Sequence, residues 1–283
     1  MRVEQDSPGA IPVRRTGSTE RVMWITPDRV FYVGLLGVPS ARSMGAISLY
    51  VALDGEVRIS VDGGEWQSGQ VAVVQPYVSH RVACDARQIA VIHVEPESVD
   101  VDSLPAMLRQ ASGLLEAEDF RARVLRCHEA LICNGQQPDA PMFDFDELVF
   151  GGRLPARNVD SRIARVLDRI RSDPSSQALA QDCAEQVHLS FSRFLHLFKS
   201  EVGASFRSFR TWKRARSLLH YVVDQRTTLT DVALGAGYPD STHFSHSIRQ
   251  VYGLKPKDIW AGSRKLRVID PSQPQPLAQR QYA

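Results

Sequence analysis

Hydrophobic and polar positions follow two different periods along the chain. Residues 21–95 contain short runs of β-branched and aromatic residues, separated by turn dipeptides such as Asp54-Gly55. From residue 104 onward, apolar residues recur at intervals of three and four instead. The pattern predicts a β-rich N-terminal unit followed by helices.

The β-rich unit is predicted to form several short strands with hairpin turns. The runs are VMWITP, VFYVGLLGV, ISLYVAL, EVRISV, VAVVQP and QIAVIHVE. Short strands at this spacing are typical of a sandwich or a barrel. A barrel of this size encloses a cavity for one small molecule.

Residues 104–132 carry two apolar stripes at helical spacing, one before and one after Glu116-Ala117-Glu118. Two amphipathic helices here would either close the core of the β unit or present apolar faces to a second copy, and we favour the second interpretation. Residues 134–160, rich in Pro, Gly and Asp, predict a connection between modules. Within it, Phe143 to Phe150 should dock on one domain, and residues 151–157 should be flexible.

The C-terminal part of the chain repeats one helical arrangement twice. The first unit has helices predicted at 160–171, at 175 or 176 to 186, and at 191–202, with Ser190 as a cap. The second has helices at 230–236 and after Asp240 or Ser241, and a long helix at 206–223 joins the two units. The two units match by chemistry, pairing Ala184 with Ala233, Phe194 with Phe244 and Lys199 with Arg249. His188 stands where the second unit has Gly237, so the first turn should be less relaxed.

This second unit resembles that of the AraC/XylS family of bacterial transcription regulators. The matching residues, in order, are Val232, Ala233, Gly237, Tyr238, His243-Phe244-Ser245, Tyr252-Gly253 and Pro256. An ordered set over roughly 30 residues is far more specific than a lone helix-turn-helix pattern. The resemblance extends back to about Asp160. It implies double-stranded DNA, a small-molecule effector, RNA polymerase and a second copy of the chain as partners.

The resemblance assigns roles to the outer faces of the two reading helices. Bases should be approached by Ser192, Leu195, His196, Thr242, His243 and His246. Phosphates should be held by Ser190, Arg193, Lys199, Ser241 and Arg249. His243 has a competing interpretation as a histidine packed beside Phe244. None of the base-reading positions carries Arg or Asn, so we expect modest direct readout supplemented by DNA shape.

The charge distribution agrees with a polyanionic partner. The whole chain has a formal charge of +2, but residues 160–267 hold 18 Lys and Arg against 10 Asp and Glu, a net of +8. A solvated basic face is the alternative explanation. Joined to paired helix-turn-helix patterns, the asymmetry favours nucleic acid.

The segment Gly69 to His80 resembles the second cupin motif, in which a glycine leads through a strand to Pro-x-x-x-His. Metal-binding cupins also carry a His-x-His and a Glu on earlier strands, but no histidine precedes Gly69. We therefore expect no metal and no cofactor, and no enzymatic activity. Candidate effector contacts are Trp24, Tyr32, Tyr50, Trp66, Tyr77 and His80, and core packing is the alternative for each.

Two further features bound the function. Cys84, Cys127, Cys133 and Cys183 form no C-x-x-C pair, which predicts reduced thiols; a redox pair of Cys127 and Cys133 is the alternative. No run of about 18 apolar residues exists, and the first residues lack the apolar stretch of a signal peptide. We expect a cytoplasmic protein that does not enter the membrane.

The sequence thus predicts an α+β multidomain protein, with an N-terminal cupin-like jelly roll and a C-terminal all-α double helix-turn-helix domain. The predicted divisions are an arm (1–20), an effector-binding domain (21–100), a helical dimerisation and linker region (101–157), a DNA-binding domain (158–267) and a disordered tail (268–283). The predicted function is a sequence-specific transcription regulator, an activator that responds to a small molecule. The alternatives are a regulator whose jelly roll only dimerises and, from another class, a cupin-type metalloenzyme.

Overall fold

A computed structural model describes residues 20–134, 143–176, 179–221, 228–262 and 266–271. The predicted arm, apart from its last residue, and residues 272–283 of the predicted tail lie outside this description, as does part of the connection between modules. The described chain has a β-rich N-terminal domain and a helical C-terminal unit, which confirms the predicted fold class.

The described strands form two sheets. The larger sheet has seven strands in the order β10-β1-β2-β8-β3-β6-β9, and the smaller has the order β5-β4-β7. The strands are β1 (Arg21–Ile25), β2 (Arg29–Gly34), β3 (Ile47–Ala52), β4 (Val57–Val61), β5 (Gln67–Gly69), β6 (Val71–Val74), β7 (His80–Cys84), β8 (Ile89–Val94), β9 (Gly113–Leu115) and β10 (Leu266–Ile269).

The larger sheet is buried on both faces, and β3 shows this most clearly. Ile47, Leu49 and Val51 point into one core, whereas Tyr50 and Ala52 point into another. Because successive side chains on a strand alternate between faces, the two sets contact different layers. The first core holds the helices that follow the β unit. The second is shared by the small sheet and the C-terminal helices, so the helical unit packs directly on the β domain.

Residues 104–134 differ from the predicted pair of amphipathic helices. The structure has one four-residue helix, α1 (Ala106–Arg109), then β9, then the long helix α2 (Glu118–Asn134). Gln75 explains the break, because its side-chain amide donates to the carbonyls of Leu108 and Gln110, at 2.9 and 2.7 Å. The apolar stripe of α2 lies in the first core rather than on the surface, so the favoured interpretation of this stripe as an exposed dimer contact is wrong.

The docking segment predicted in the connection is present as α3 (Phe145–Phe150). Asp144 caps it by accepting from the backbone N–H groups of Asp146 and Glu147, and Gly151 ends it with a φ of 81°. Phe145 lies in the first core, with its ring centroid 4.7 Å from that of Trp24. The segment therefore packs on the β domain.

Apart from an additional last helix, α10, the C-terminal helices follow the predicted order with three differences. They are α4 (Ser161–Ser172), α5 (Ala180–Gln186), α6 (Phe191–Val202), α7 (Phe206–Tyr221), α8 (Leu229–Gly235), α9 (Ser241–Tyr252) and α10 (Pro256–Gly262). Helix α5 begins later than predicted, because Asp173 accepts from the N–H groups of Ser175 and Ser176 and holds them in a turn. Ser190 occupies the cap position of α6, but its side chain makes no capping hydrogen bond. The third difference lies at the end of the chain.

Residues 266–269 form a strand, where the sequence predicted the end of the DNA-binding domain and the start of a disordered tail. This strand, β10, pairs in parallel with β1, with Leu266 opposite Arg21 and Ile269 opposite Trp24. The chain therefore returns from the helical unit to the edge of the N-terminal sheet. Arg-Val-Ile is a favourable strand sequence, but only the distant β1 provides its partner.

Candidate nucleic-acid interface

The turns of the two helix-turn-helix units have the same backbone geometry. In the first, His188 has a φ of 54°, and the Leu189 N–H donates to the Ala184 carbonyl at 2.9 Å. In the second, Gly237 has a φ of 75°, and the Tyr238 N–H donates to the Ala233 carbonyl at 2.9 Å. The predicted pairing of Ala184 with Ala233 is thus reproduced, with histidine in a left-handed conformation that glycine adopts more readily.

Buried aromatic residues hold α6 and α9, the two predicted DNA-reading helices, in place. On α6, Phe194 and Phe198 are fully buried and pack against Phe206 of α7 at centroid distances of 5.5 and 5.2 Å. On α9, Phe244 packs edge-on against Tyr238 at 5.3 Å. Edge-to-face contacts of this kind restrict rotation of a helix about its axis. Each helix therefore turns a fixed face outward.

The outward faces carry the residues that the sequence assigned to DNA. Among the base-reading candidates, Leu195 is half-buried and the others are exposed, namely Ser192, His196, Thr242, His243 and His246. The phosphate candidates are also exposed, namely Ser190, Arg193, Lys199, Ser241 and Arg249. The β domain does not cover either face in this arrangement. Both faces are therefore accessible to a duplex.

Asp240 organises the start of the second reading helix. Its carboxylate accepts from the backbone N–H groups of Thr242 and His243, both at 2.8 Å, and these hydrogen bonds hold the pKa of Asp240 below its usual range. The His243 Nδ1 lies 2.8 Å from the same carboxylate, with a side chain 71% exposed. This exposure argues against the alternative in which His243 packs beside Phe244. Asp240 also occupies two backbone donors that the sequence had offered to phosphate near Ser241.

Helix α7 carries three buried cations. Arg210, Lys213 and Arg216 are each about 95% buried. Lys213 Nζ lies 2.7 Å from Glu95 Oε2 and 2.5 Å from Glu97 Oε1. Arg216 Nε lies 2.6 Å from Glu95 Oε1, an ion contact without the alignment of a hydrogen bond. The helix that joins the two reading units is therefore bound to the β domain by buried charges.

Trp212 and two backbone carbonyls complete this contact. The Trp212 Nε1–H donates to Glu95 Oε2 at 2.8 Å, and Arg216 donates to the carbonyls of Thr26 and Arg29 at 2.6 and 3.2 Å. A Cβ on Gly45 would lie 2.5 Å from the Trp212 ring, so glycine is needed for this approach. The sequence did not single out this cluster, because its acidic and basic members are more than a hundred residues apart.

The pKa values of the two buried carboxylates, Glu95 and Glu97, shift in opposite directions. Burial alone would raise the pKa of Glu95, but Lys213 and Arg216 outweigh it, and the pKa lies below its usual range. Burial raises the pKa of Glu97 above its usual range; Lys213 opposes the shift and Glu95 reinforces it. Glu95 is therefore the anion on which the domain contact depends.

The loop before β3 forms hydrogen bonds with the C-terminal end of α9. The Ser43 N–H donates to the Gln250 carbonyl at 3.1 Å, and the Ser40 hydroxyl donates to the Gly253 carbonyl. Gly37 lies against the side chain of Leu254. The β domain thus contacts the helix that carries Thr242 and His246, at the end opposite those residues.

The six candidate effector contacts are dispersed in the structure. Tyr32 and Tyr50 line a cavity of about 430 Å³ between the β domain and the helical unit. Trp24 lies in the first core, Tyr77 packs against the second, and Trp66 is 47% exposed. His80 is buried beside the cavity wall, with its Nε2 2.7 Å from the Tyr50 hydroxyl. The sequence pattern identified aromatic residues but not which strand face carries them.

The described residues differ in how they place candidate metal ligands and thiols. Within that part of the chain, no group of three or more His, Cys, Asp or Glu is arranged to hold a metal ion. Cys127 is buried, which raises its pKa to about 12, whereas Cys133 is exposed. A thiol with a raised pKa is a poor nucleophile. In addition, none of the described helices combines the length and apolar character needed to span a membrane.

Comparison with known proteins identifies the class of the helical unit. Residues 183–260 match the family described as a helix-turn-helix domain. The chain is 25% identical over 107 residues to the HTH-type transcriptional activator RhaS of Klebsiella pneumoniae, and 30% identical over 76 residues to the invasion protein InvF of Salmonella typhi. These matches cover 38% and 26% of the chain, and only 38% and 35% of the two relatives.

Solved structures extend the likeness to the whole fold. An apo variant of ToxT from Vibrio cholerae has a TM-score of 0.58 at 11% identity, over 83% of this chain and 97% of that one. Wild-type ToxT with a bound unsaturated fatty acid has a TM-score of 0.50 at 10% identity, over 84% and 96% of the two chains. The helical unit is therefore similar to helix-turn-helix domains, as the two repeated units in the sequence predicted. The chain as a whole has the two-domain fold of ToxT.

Proposed function

We propose that the chain is a sequence-specific DNA-binding transcription regulator, an activator that responds to a small molecule bound by its N-terminal domain. The observation that carries the proposal is the pair of reading helices. Both are fixed by buried aromatic residues, and both expose hydrogen-bonding residues with a cation on the same face. The role of RhaS as a transcriptional activator supports the direction of regulation.

The roles of individual residues follow from the exposed faces. Ser192, His196, Thr242, His243 and His246 approach base edges, and Leu195 offers an apolar surface to a thymine methyl group. Arg193, Lys199 and Arg249 bind phosphates, with Ser190 and Ser241 at the helix N-termini. The two helices differ in sequence, so the bound site is asymmetric.

The resemblance to the AraC/XylS family is the basis for the remaining partners in the proposal. RNA polymerase receives the activating contact, and a second copy of the chain forms a dimer in the cytoplasm. The dimer contact does not come from the apolar stripe of α2, which is buried. A cavity between the domains favours an effector-binding role over a jelly roll that only dimerises. Relatives that are transcription regulators favour this function over a cupin-type enzyme.

Selection of duplexes from a random DNA pool tests the proposal with the full chain. We expect enriched sequences with two conserved blocks about one helical repeat apart, roughly 10 base pairs. Replacing both His196 and His246 by Ala should weaken enrichment, whereas Arg58→Ala on β4 of the β domain should not. A pool that stays random with the wild-type chain would refute DNA reading.

A further inference from the structure

The cavity between the domains is mostly apolar, and the described residues that line it include one buried cation. Its walls include Met44, Tyr50 and Val91 from the β domain, and Leu219, Tyr252 and Leu254 from the helical unit. A volume of about 430 Å³ falls within the range of small-molecule sites. Arg42 also lines the cavity and is only 6% exposed.

Arg42 is held in place but lacks an anionic partner among the described residues. Its backbone exchanges two hydrogen bonds with His80, at 2.9 and 3.0 Å, which fix the start of the side chain. Its side chain interacts with the neutral hydroxyl of Tyr50. The Nε and Nη2 atoms are buried without a hydrogen-bond partner, and no carboxylate of the described residues forms an ion pair with Arg42. A buried guanidinium in this state carries a desolvation cost that a bound anion would offset.

Among the titratable groups that the structure describes at the cavity, Arg42 is the one that carries a charge in the interior. His93 lines the wall, and burial lowers its pKa to about 4; Glu95 opposes this shift, so the ring is neutral at pH 7. His80, behind the wall, is likewise neutral, because burial lowers its pKa to about 4. Asp258 reaches only the exposed rim. Apolar walls around one cation suit a ligand with an apolar body and one anionic head.

We propose that this cavity is the effector site and that it binds an amphipathic carboxylate, with the head group on Arg42 and the apolar body between the two domains. This inference rests on the proposed effector-dependent regulator and names its ligand class. Guanidinium is a good partner for carboxylate, because two of its N–H groups can donate in parallel.

The location of the site provides a link to DNA binding. Tyr252 ends α9, Leu254 follows it, and Leu219 lies on α7. A ligand that fills the cavity contacts α7, the end of α9 and the β domain at once. It can change DNA affinity only to the extent that it binds the docked arrangement better than a separated one.

Binding of decanoate and of 1-decanol to the full-length chain tests the site by calorimetry. The two probes share an apolar chain and differ in the charge of the head group. We expect decanoate to bind at least about tenfold more tightly, because a charge-assisted pair with Arg42 is available only to the carboxylate. Arg42→Met should remove this preference, Arg42→Lys should retain part of it, and Arg58→Met on the distant β4 should leave it unchanged.

A second pair of variants tests whether the helical unit forms part of the site. Leu219→Trp on α7 should fill the cavity and abolish decanoate binding, whereas Leu234→Trp on the exposed side of α8 should not. Equal affinity for both probes in the wild-type chain, or a decanoate preference that survives Arg42→Met, would overturn the assignment. Because DNA binding is measured separately without ligand, loss of one activity with the other intact shows which proposal fails.

Discussion

Replacing Glu95 by Gln tests the buried contact between α7 and the β domain. The substitution keeps the shape of the side chain but removes the charge that lies 2.6 Å from Arg216 and 2.7 Å from Lys213. Lys213 retains Glu97, whereas Arg216 keeps only the carbonyls of Thr26 and Arg29. Breaking a buried ion pair by removing one partner costs roughly 3–5 kcal/mol. Because one cation keeps a carboxylate, we expect the lower end, about 3 kcal/mol of unfolding free energy.

Urea denaturation followed by tryptophan fluorescence measures this loss, since Trp212 lies in the contact. The matched control is Asp85→Asn, which breaks the exposed pair with Arg58, whose side chains are 53% and 50% exposed. An exposed pair contributes at most about 1 kcal/mol. If E95Q and D85N lowered the unfolding free energy equally, by less than about 1 kcal/mol, the buried cluster would not hold the domains together.

The pH dependence of the difference between wild type and E95Q has a defined sign. The folded-state pKa of Glu95 is depressed, so its contribution is fully present above the unfolded-state carboxyl pKa of about 4.3. The contribution is lost as the pH falls through the lower, folded-state value. The gap between the two proteins should therefore be constant from about pH 5 to 7 and shrink below about pH 4. A gap that widens on acidification would contradict the assigned direction.

Three further outcomes follow from the reading helices and their turns. Lys199→Ala should weaken binding to all duplexes about equally and reduce the salt slope by about one unit; an unchanged slope would argue against a phosphate contact. Thr242→Ala should cost about 1–3 kcal/mol at one base position in competition binding, and a uniform loss would assign Thr242 to packing. In thermal unfolding, substitutions in the two turns should change the stability in opposite directions. Gly237→Ala should destabilise by more than about 2 kcal/mol, because its Cβ would overlap the Ser175 carbonyl oxygen, whereas His188→Gly should stabilise by about 0.5–1 kcal/mol.

Local features were predictable because they depend on nearby residues. The bounds of α6 and the left-handed turn at His188 follow from sequence spacing and backbone preference, and the cap at Asp240 is one of the two candidates that the sequence offered. The exposed faces of α6 and α9 follow from the positions of Phe194 and Phe244. For these elements, the helical period alone determines which residues face outward.

Long-range features were not predictable from the same pattern. Lys213 and Arg216 occupy positions that look solvated on a helical wheel, yet Glu95 and Glu97 bury them from the other domain. Residues 104–115 have a helical period, but Gln75 binds the carbonyls of Leu108 and Gln110, so the helix is only four residues long and a strand follows it. In each case the deciding partner lies far away in the sequence, where local periodicity carries no information.

The strand β10 protects a vulnerable part of the molecule. Without it, β1 would present a row of unsatisfied backbone donors and acceptors at the border of the remaining six-stranded sheet, and such borders recruit other chains. A protein shortened before Leu266 should therefore form insoluble aggregates more readily than the full chain, even with every helix intact. For this reason, a truncation that removes β10 would hinder crystallisation rather than help it.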